Sequence, residues 1–314
     1  MGYTHLQPAE PTTLGYRFAF YAQDLLMDLK LLEFVKKNLK AKGMKGAVGT
    51  SASYVKLAGL KRAEEMELEV LEKLGMEAYE VTNQTSPRKI EVWVGNLLSS
   101  IAQSLNKFAF DLRVMQSQGF GEWAESFGKA QVGSSAMPFK KNPVKSEQIC
   151  SLSRLVVCLS RTSWDNAAQM LLERTLDDSA NRRVVIPEMF LAIDEMLISC
   201  AVMVKDLIIN EKRIKRNLET YSPFSASETI IIEAVKIGAD RQKVHEILRE
   251  ISMKAWDAIQ NGEENPMEDL LLGNDAIGKY LNKEQLTELL NAKSHTGNAK
   301  NKALTITKLI AKLN

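Results

Sequence analysis

The sequence predicts an all-α protein: a long central helical bundle followed by a smaller C-terminal helical domain. Three observations carry that expectation. Apolar residues recur at three- and four-residue spacing over stretches of roughly 25 to 30 residues, well beyond the usual helix length. Strand signals are scarce, with no alternating β-branched runs and no Asn-Gly turn set between them. Polar segments rich in glycine and proline divide one helical stretch from the next.

The first stretch runs from Tyr16 to Lys40, with Phe20, Leu25, Leu29, Leu32, Val35 and Leu39 on its apolar stripe, and Pro11, Thr12 and Thr13 mark its start. Gly43-Met44-Lys45-Gly46-Ala47-Val48-Gly49-Thr50 is a breaker cluster. No strand precedes it and it lacks a lysine-serine ending, so it reads as a turn between helices and not as a nucleotide-binding loop. Leu57 to Leu74 reads as a charged amphipathic helix, and Thr82 to Pro87 as a polar break. Arg88 to Gln118 is a long helix bearing Ile90, Trp93, Leu97, Ile101, Leu105, Phe108 and Leu112. Lys145 to Leu172 and Arg182 to Ile209 are two more, the second with Pro187 near its start as a first-turn proline or a kink. Helices of that length would be about 40 Å long at a rise of about 1.5 Å per residue. Their apolar stripes must be buried against one another, which makes the central region a bundle. Tyr221 to Pro223 breaks the pattern, and shorter helices punctuated by Gly238, Gly262, Pro266, Gly273 and Gly297 follow. The expected division is therefore a bundle domain over 1–220 and a smaller helical domain over 221–314.

Composition narrows the function classes. The chain has 314 residues, 45% hydrophobic and 25% charged, which is ordinary for a globular protein with a sizeable core. A net charge of +2 gives no electrostatic case for nucleic acid as the main partner. No apolar run is long enough to span a membrane, and the opening does not read as a signal peptide. Cys150, Cys158 and Cys200 sit in apolar helical contexts with no zinc spacing. Their odd number argues against a disulfide framework. The expectation is reduced core thiols in a cytoplasmic protein.

Three polar segments gather chemistry. The run Gly133-Ser134-Ser135-Ala136-Met137-Pro138-Phe139-Lys140-Lys141-Asn142-Pro143 is a loop between long helices, and loops of that kind are more often functional than idle. It lacks the Gly-x-Ser-x-Gly elbow of acyl transfer. A serine can act as a base where donors and cations lower the energy of its alkoxide, and Lys140 with the loop N–H groups supplies such donors. The same donors suit a carboxylate or a developing oxyanion; the alternative is a solvated basic loop. His5, in Thr4-His5-Leu6-Gln7-Pro8-Ala9-Glu10-Pro11, has the side chain best suited to proton transfer near neutral pH, although a histidine there can equally be unremarkable. His245 reads as a helix position that is exposed or stands behind a site, and His295 as a surface residue in a late loop. In Glu173-Arg174-Thr175-Leu176-Asp177-Asp178-Ser179-Ala180-Asn181-Arg182-Arg183, Asp177 or Asp178 can cap a new helix and the arginines suit an anion. That segment reads either as a phosphate or carboxylate site or as a capped turn with surface ion pairs.

Together these segments resemble the fumarase/aspartase superfamily, whose members eliminate fumarate from succinyl substrates. Gly133-Ser134-Ser135-Ala136-Met137-Pro138-x-Lys140-x-Asn142-Pro143 is similar to its signature, and Ala136 resembles the adenylosuccinate lyase branch. Thr4-His5-x-Gln7-Pro8-Ala9-Glu10-Pro11-Thr12-Thr13-x-Gly15 resembles its second conserved region, and Glu173 to Arg183 the segment that binds a nucleotide phosphate. The resemblance implies long helices joined into a twenty-helix core of a homotetramer, with active sites where three protomers meet. It implies elimination of fumarate from adenylosuccinate, giving AMP, and from succinyl-aminoimidazole-carboxamide ribotide, in purine synthesis. By the same resemblance His5 is the general acid, Ser134 the general base and Ser135 its less favoured neighbour. Gln84, Lys140, Asn142, Arg174, Ser179 and Arg183 are the substrate contacts. No metal or other cofactor is implied, and the partner is a small nucleotide. The family's first domain, with a further active-site histidine, is not matched. The expectation is that the isolated chain is weakly active or inactive, with a separate N-terminal domain as a possible partner. The alternatives are another fumarate-releasing lyase, such as argininosuccinate lyase, and a non-catalytic helical scaffold.

Overall fold

The computed structural model describes residues 1–127, 137 and 139–313. The described residues are predominantly helical, as the periodicity predicts. The order is β1 (Tyr3–Thr4), β2 (Gln7–Pro8), α1 (Leu14–Asn38), α2 (Ala52–Ala58), α3 (Leu60–Leu74), α4 (Lys89–Gln116), β3 (Trp123–Ala124), α5 (Val144–Ala168), α6 (Asp177–Lys205), β4 (Ile208–Ile209), α7 (Glu211–Lys236), α8 (Arg241–Gln260), α9 (Met267–Leu272), α10 (Asp275–Gly278), α11 (Lys283–Leu289), a 3-10 turn over Ala292–Thr296, and α12 (Ala299–Ala311). The chain forms two compact units. One gathers Met1–Gln23, Met115–Ala124 and Ile208–Asn314; the other holds Asp24–Val114 and Glu125–Leu207.

In the second unit, α5 and α6 run antiparallel. Ser146 Oγ lies 3.4 Å from Met203 Sδ at one end, and Asn166 and Asn181 exchange amide hydrogen bonds of 2.7 and 2.9 Å at the other. Ile149, Cys150 and Val156 of α5 and Val185, Met189, Ile193 and Met196 of α6 are buried. A smaller cluster joins Val35 of α1 to Ile90 and Leu97 of α4, with Leu31, Trp93 and Ile101 against it. Asp28, buried on α1, accepts from Ser100 Oγ (2.5 Å) and Ser104 Oγ (2.7 Å) of α4, so this acid is satisfied by hydroxyls.

In the first unit, α7 presents Ala226, Ile230 and Ala234 at four-residue spacing, and α8 presents Val244, Leu248, Ile251 and Ala255. Met267, Leu271, Ile277, Leu281 and Leu286 complete this core. The helix starts follow capping chemistry. Asp240 accepts from the Gln242 and Lys243 N–H groups, and Asn282 and Gln285 form a reciprocal capping box.

Several expectations are corrected. The stretch 57–74 is two helices, because Gly59 takes φ +80°, outside the helical region. The last long helix of the bundle starts at Asp177 and not at Arg182, so Pro187 lies in its interior. The acidic pair Asp177-Asp178 belongs to its first turn, where negative charge is favoured. The break at 221–223 is absent. Helix α7 runs through Pro223, so a boundary at 220/221 falls inside a helix. Asn265 Nδ2 donates to the Thr220 carbonyl (2.7 Å), next to the carbonyl that the proline leaves without its donor. Of the cysteines only Cys150 is fully buried. Cys200 is half-buried, with its thiol pushed up to about 11 by desolvation, and Cys158 is exposed. Two short antiparallel pairs, β1–β2 and β3–β4, also escaped the strand signals.

The carboxylate of Glu122 ties the first unit together. It is 1% exposed and accepts from Tyr3 Oη (3.0 Å), Asn217 Nδ2 (3.1 Å) and Arg17 Nη1 (3.4 Å), while its backbone carbonyl accepts from the Asn210 N–H. Burial, helped by the adjacent Glu122 charge, pushes the Tyr3 phenol up, so it stays a proton donor. Glu122→Ala leaves Arg17 and Asn217 without their shared acceptor and is expected to lower stability by about 3 kcal/mol. The shift of the thermal unfolding midpoint checks it, with Glu122→Gln expected to lose less because it keeps an acceptor oxygen.

Candidate active site

His5 occupies the tip of the β1–β2 hairpin. Tyr3 pairs with Pro8 and Thr4 with Gln7, so His5 and Leu6 are the two turn residues. Both have positive φ, 53° and 62°. That is the backbone twist of a two-residue hairpin turn normally built with asparagine and glycine. His5 is exposed there. Its support comes from below: Tyr3, two residues away, is anchored on Glu122, and the Gly2 N–H donates to the Glu10 carbonyl (2.8 Å).

The other described candidates belong to the second unit. The polar break over 82–87 is joined to the loop before α6. The Gln84 N–H donates to the Glu173 carbonyl (3.2 Å), and Asn83 Nδ2 donates to the Leu172 carbonyl (3.0 Å). This brings the exposed Gln84 side chain to the segment that carries Arg174 and Ser179. Gly49 makes the approach possible. At φ +87°, a Cβ there would lie 1.8 Å from the Thr82 carbonyl oxygen.

At the start of α6, Asp178 does not cap the helix as expected. Leu176 at the cap position offers no side-chain acceptor, the Asp177 N–H donates to Thr175 Oγ1 (3.4 Å), and the Asp178 carboxylate is turned into the protein, 1% exposed. It pairs with Arg88 Nε at 2.8 Å, Arg174 Nη1 at 3.3 Å and Arg182 Nε at 3.9 Å. Glu91 adds a second carboxylate, binding Arg182 through both its Nε and Nη2 and Arg88 through Nη1. The hydrogen bonds it donates to Glu91 raise the Arg182 guanidinium above its ordinary value. Ser179 is half-buried, and its N–H donates to the Leu176 carbonyl (3.0 Å). Arg183 is exposed.

Ser134 and Ser135 lie outside the described residues. Beyond them, Lys140 is exposed, its N–H donating to the Met137 carbonyl (3.0 Å), and Asn142 is half-buried. The end of this loop is fixed by Glu125, whose buried carboxylate accepts from the Lys145 and Ser146 N–H groups and from Ser146 Oγ. It caps α5 from a distance, because Pro143 at the cap position offers no side-chain acceptor. Sequence reasoning missed Arg88, Glu91, Glu122 and Glu125. The spacing Arg174-Asp178-Arg182, an acid four residues from each of two arginines, was the one signal available. Among the described residues no group of three His, Cys, Asp or Glu is arranged to hold a metal, and no helix is long and apolar enough to cross a membrane.

The fold and these segments define a lyase architecture, and comparison agrees. A family model described as "Lyase" matches residues 1–158, and one described as "Adenylosuccinate lyase C-terminus" matches residues 223–303. The chain belongs to the lyase family. It is 40% identical over 86% of its length to the adenylosuccinate lyase of Schistosoma mansoni. It is 38% identical over 95% of its length to those of Saccharomyces cerevisiae and Methanocaldococcus jannaschii. It spans 57%, 62% and 62% of those three proteins. Among solved structures, the 3-carboxy-cis,cis-muconate lactonizing enzyme of Pseudomonas putida superposes with a TM-score of 0.84 at 22% identity, over 98% of this chain and 66% of that one. A fumarate lyase of Mesorhizobium sp. BNC1 superposes at 0.81 and 22%, over 97% and 66%. Those two structures share the fold.

Gly49→Ala is expected to push the 82–87 segment away from the loop before α6, since neither the left-handed backbone nor the space at Thr82 accepts a Cβ. Hydrogen exchange at the Gln84 amide checks it. The variant should exchange about tenfold faster or more than the wild type as that bond opens.

Proposed function

We propose that this chain carries most of an adenylosuccinate lyase, a fumarate-releasing C–N lyase of purine nucleotide synthesis in the cytoplasm. One observation carries the reading: 38–40% identity to adenylosuccinate lyases over most of the chain. The geometry supports it, because a glutamine-bearing segment is bonded to an arginine-rich helix start, a suitable setting for a nucleotide phosphate.

In this reading Ser134 removes the proton β to the departing nitrogen of the succinyl group. The electron pair enters the neighbouring carboxylate as a doubly charged aci-carboxylate, which Lys140, Asn142 and loop N–H groups stabilise. The C–N bond then breaks. His5, as an imidazolium, gives its proton to the leaving nitrogen, producing AMP and fumarate. Succinyl-aminoimidazole-carboxamide ribotide follows the same course to its carboxamide. Gln84 contacts the substrate, and Arg174, Ser179 and Arg183 hold its phosphate. The positive φ of His5 suits this role, since backbone strain of this kind collects where a side chain must be aimed.

The assembly in this reading is a homotetramer. Leu155, Val157 and Trp164 of α5 and Phe190, Leu191 and Ile198 of α6 are all exposed in the single chain. Apolar surface of that extent on long helices marks a contact face. Cys158, exposed on α5, reports on it. Its alkylation is expected to slow about tenfold or more between dilute and concentrated protein, and an unchanged rate speaks against association through α5.

Fumarate release, followed by ultraviolet absorbance, tests the activity. It is run on the 314-residue chain alone and mixed with a separately produced first conserved region of a relative. Fumarate is expected mainly from the mixture. In the mixture, His5→Ala and Ser134→Ala are expected to lower kcat by about 100-fold or more. Arg174→Ala is expected to raise KM. No fumarate under either condition counts against the reading.

A further inference from the structure

We propose that Asp178 is a positioning residue that aims Arg174 at the substrate phosphate, with Glu91 drawing off the two neighbouring guanidiniums. The proposal rests on the nucleotide reading above. Charge count is the first argument. Arg88, Arg174 and Arg182 bring three positive charges to this cluster, and Asp178 and Glu91 bring two negative ones. One positive charge is left over, and the contacts say which residue carries it. Arg88 is bound by both carboxylates, and Arg182 makes two bonds to Glu91 while lying within ion-pair distance of Asp178. Among the described residues the Arg174 guanidinium makes one contact, through Nη1 to Asp178 Oδ1 at 3.3 Å, and its side chain remains 21% exposed. It is the guanidinium with donors to spare.

Placement is the second argument. Asp178 is one turn after Arg174, and its carboxylate, with no exposed surface, is itself locked by Arg88 Nε at 2.8 Å. Arg88 in turn begins the segment leading into α4, directly after the 82–87 break that holds Gln84. An unsupported arginine loses side-chain entropy when a ligand fixes it. One already held by a buried acid loses less, so Asp178 strengthens anion binding without touching the anion. The start of α6, whose cap residue Leu176 offers no side-chain acceptor, lies in the same place, and its dipole favours the same charge.

Calorimetric titration of the 314-residue chain with AMP and with adenosine tests this, since the two probes differ only in the phosphate. Asp178→Asn is expected to weaken AMP about tenfold and adenosine less than about twofold. Combining it with Arg174→Ala is expected to weaken AMP no further than Arg174→Ala alone. A purely structural role would weaken both probes alike or add to the Arg174→Ala loss, and either result overturns the proposal. Wild-type AMP affinity in a folded Asp178→Asn variant overturns it as well. If Asp178→Asn does not fold, Asp178→Glu decides. Its longer side chain keeps the charge but shifts Arg174, and the AMP-to-adenosine preference should still fall. If Arg174→Ala binds AMP as the wild type does, or the wild type does not bind it, the nucleotide reading fails first and takes this proposal with it.

Discussion

Buried carboxylates are the constraint on which the rest of this structure depends. Four of them, Asp28, Glu122, Glu125 and Asp178, sit almost wholly out of solvent, and each joins segments remote in sequence. An ionised acid in such a place is tolerated only when its oxygens are filled with donors. The donors are supplied in four ways: hydroxyls for Asp28, a phenol, an amide and a guanidinium for Glu122, helix N–H groups for Glu125, and guanidiniums for Asp178. Hydrophobic stripes bring the long helices together, but stripes of this kind are non-directional. The acids add direction, because their hydrogen bonds hold only in one alignment.

Two of these acids bracket the short strand β3. Glu122 serves the unit that carries His5, and Glu125 serves the unit that carries the lysine-bearing loop. A three-residue step in sequence thus connects the supports of two chemically distinct segments. The glycine at 49 plays a comparable part by subtraction. Its missing side chain is what lets the Thr82 carbonyl come close enough for the next residues to bond across to Leu172 and Glu173.

Much of the helical architecture was legible because apolar spacing over 25 residues leaves few other solutions. Helices α1, α4 and α5 fall within a few residues of their expected bounds. The misses have particular causes. Pro223 breaks the sequence pattern, yet α7 runs through it, with Ser222 and Ala226 buried on either side. The hairpin at the start was invisible because its strands are two residues long and its turn is His5-Leu6, with no glycine or asparagine to announce it. Cys158 followed an apolar context onto an exposed helix face. The polar candidates were legible as segments, and two of these segments are joined where the Gln84 N–H donates to the Glu173 carbonyl. Their supports were not, because a single glutamate in a sequence gives no sign of the distant tyrosine or arginine that will surround it.

The left-handed turn at His5 and Leu6 also has an evolutionary side. Glycine at either position would release local torsional tension and give a sturdier ribbon, so thermal robustness and retention of an imidazole pull in opposite directions there. A population of such sequences selected only for durability would drift toward glycine at this corner. One kept for proton transfer would go on tolerating the less comfortable pair.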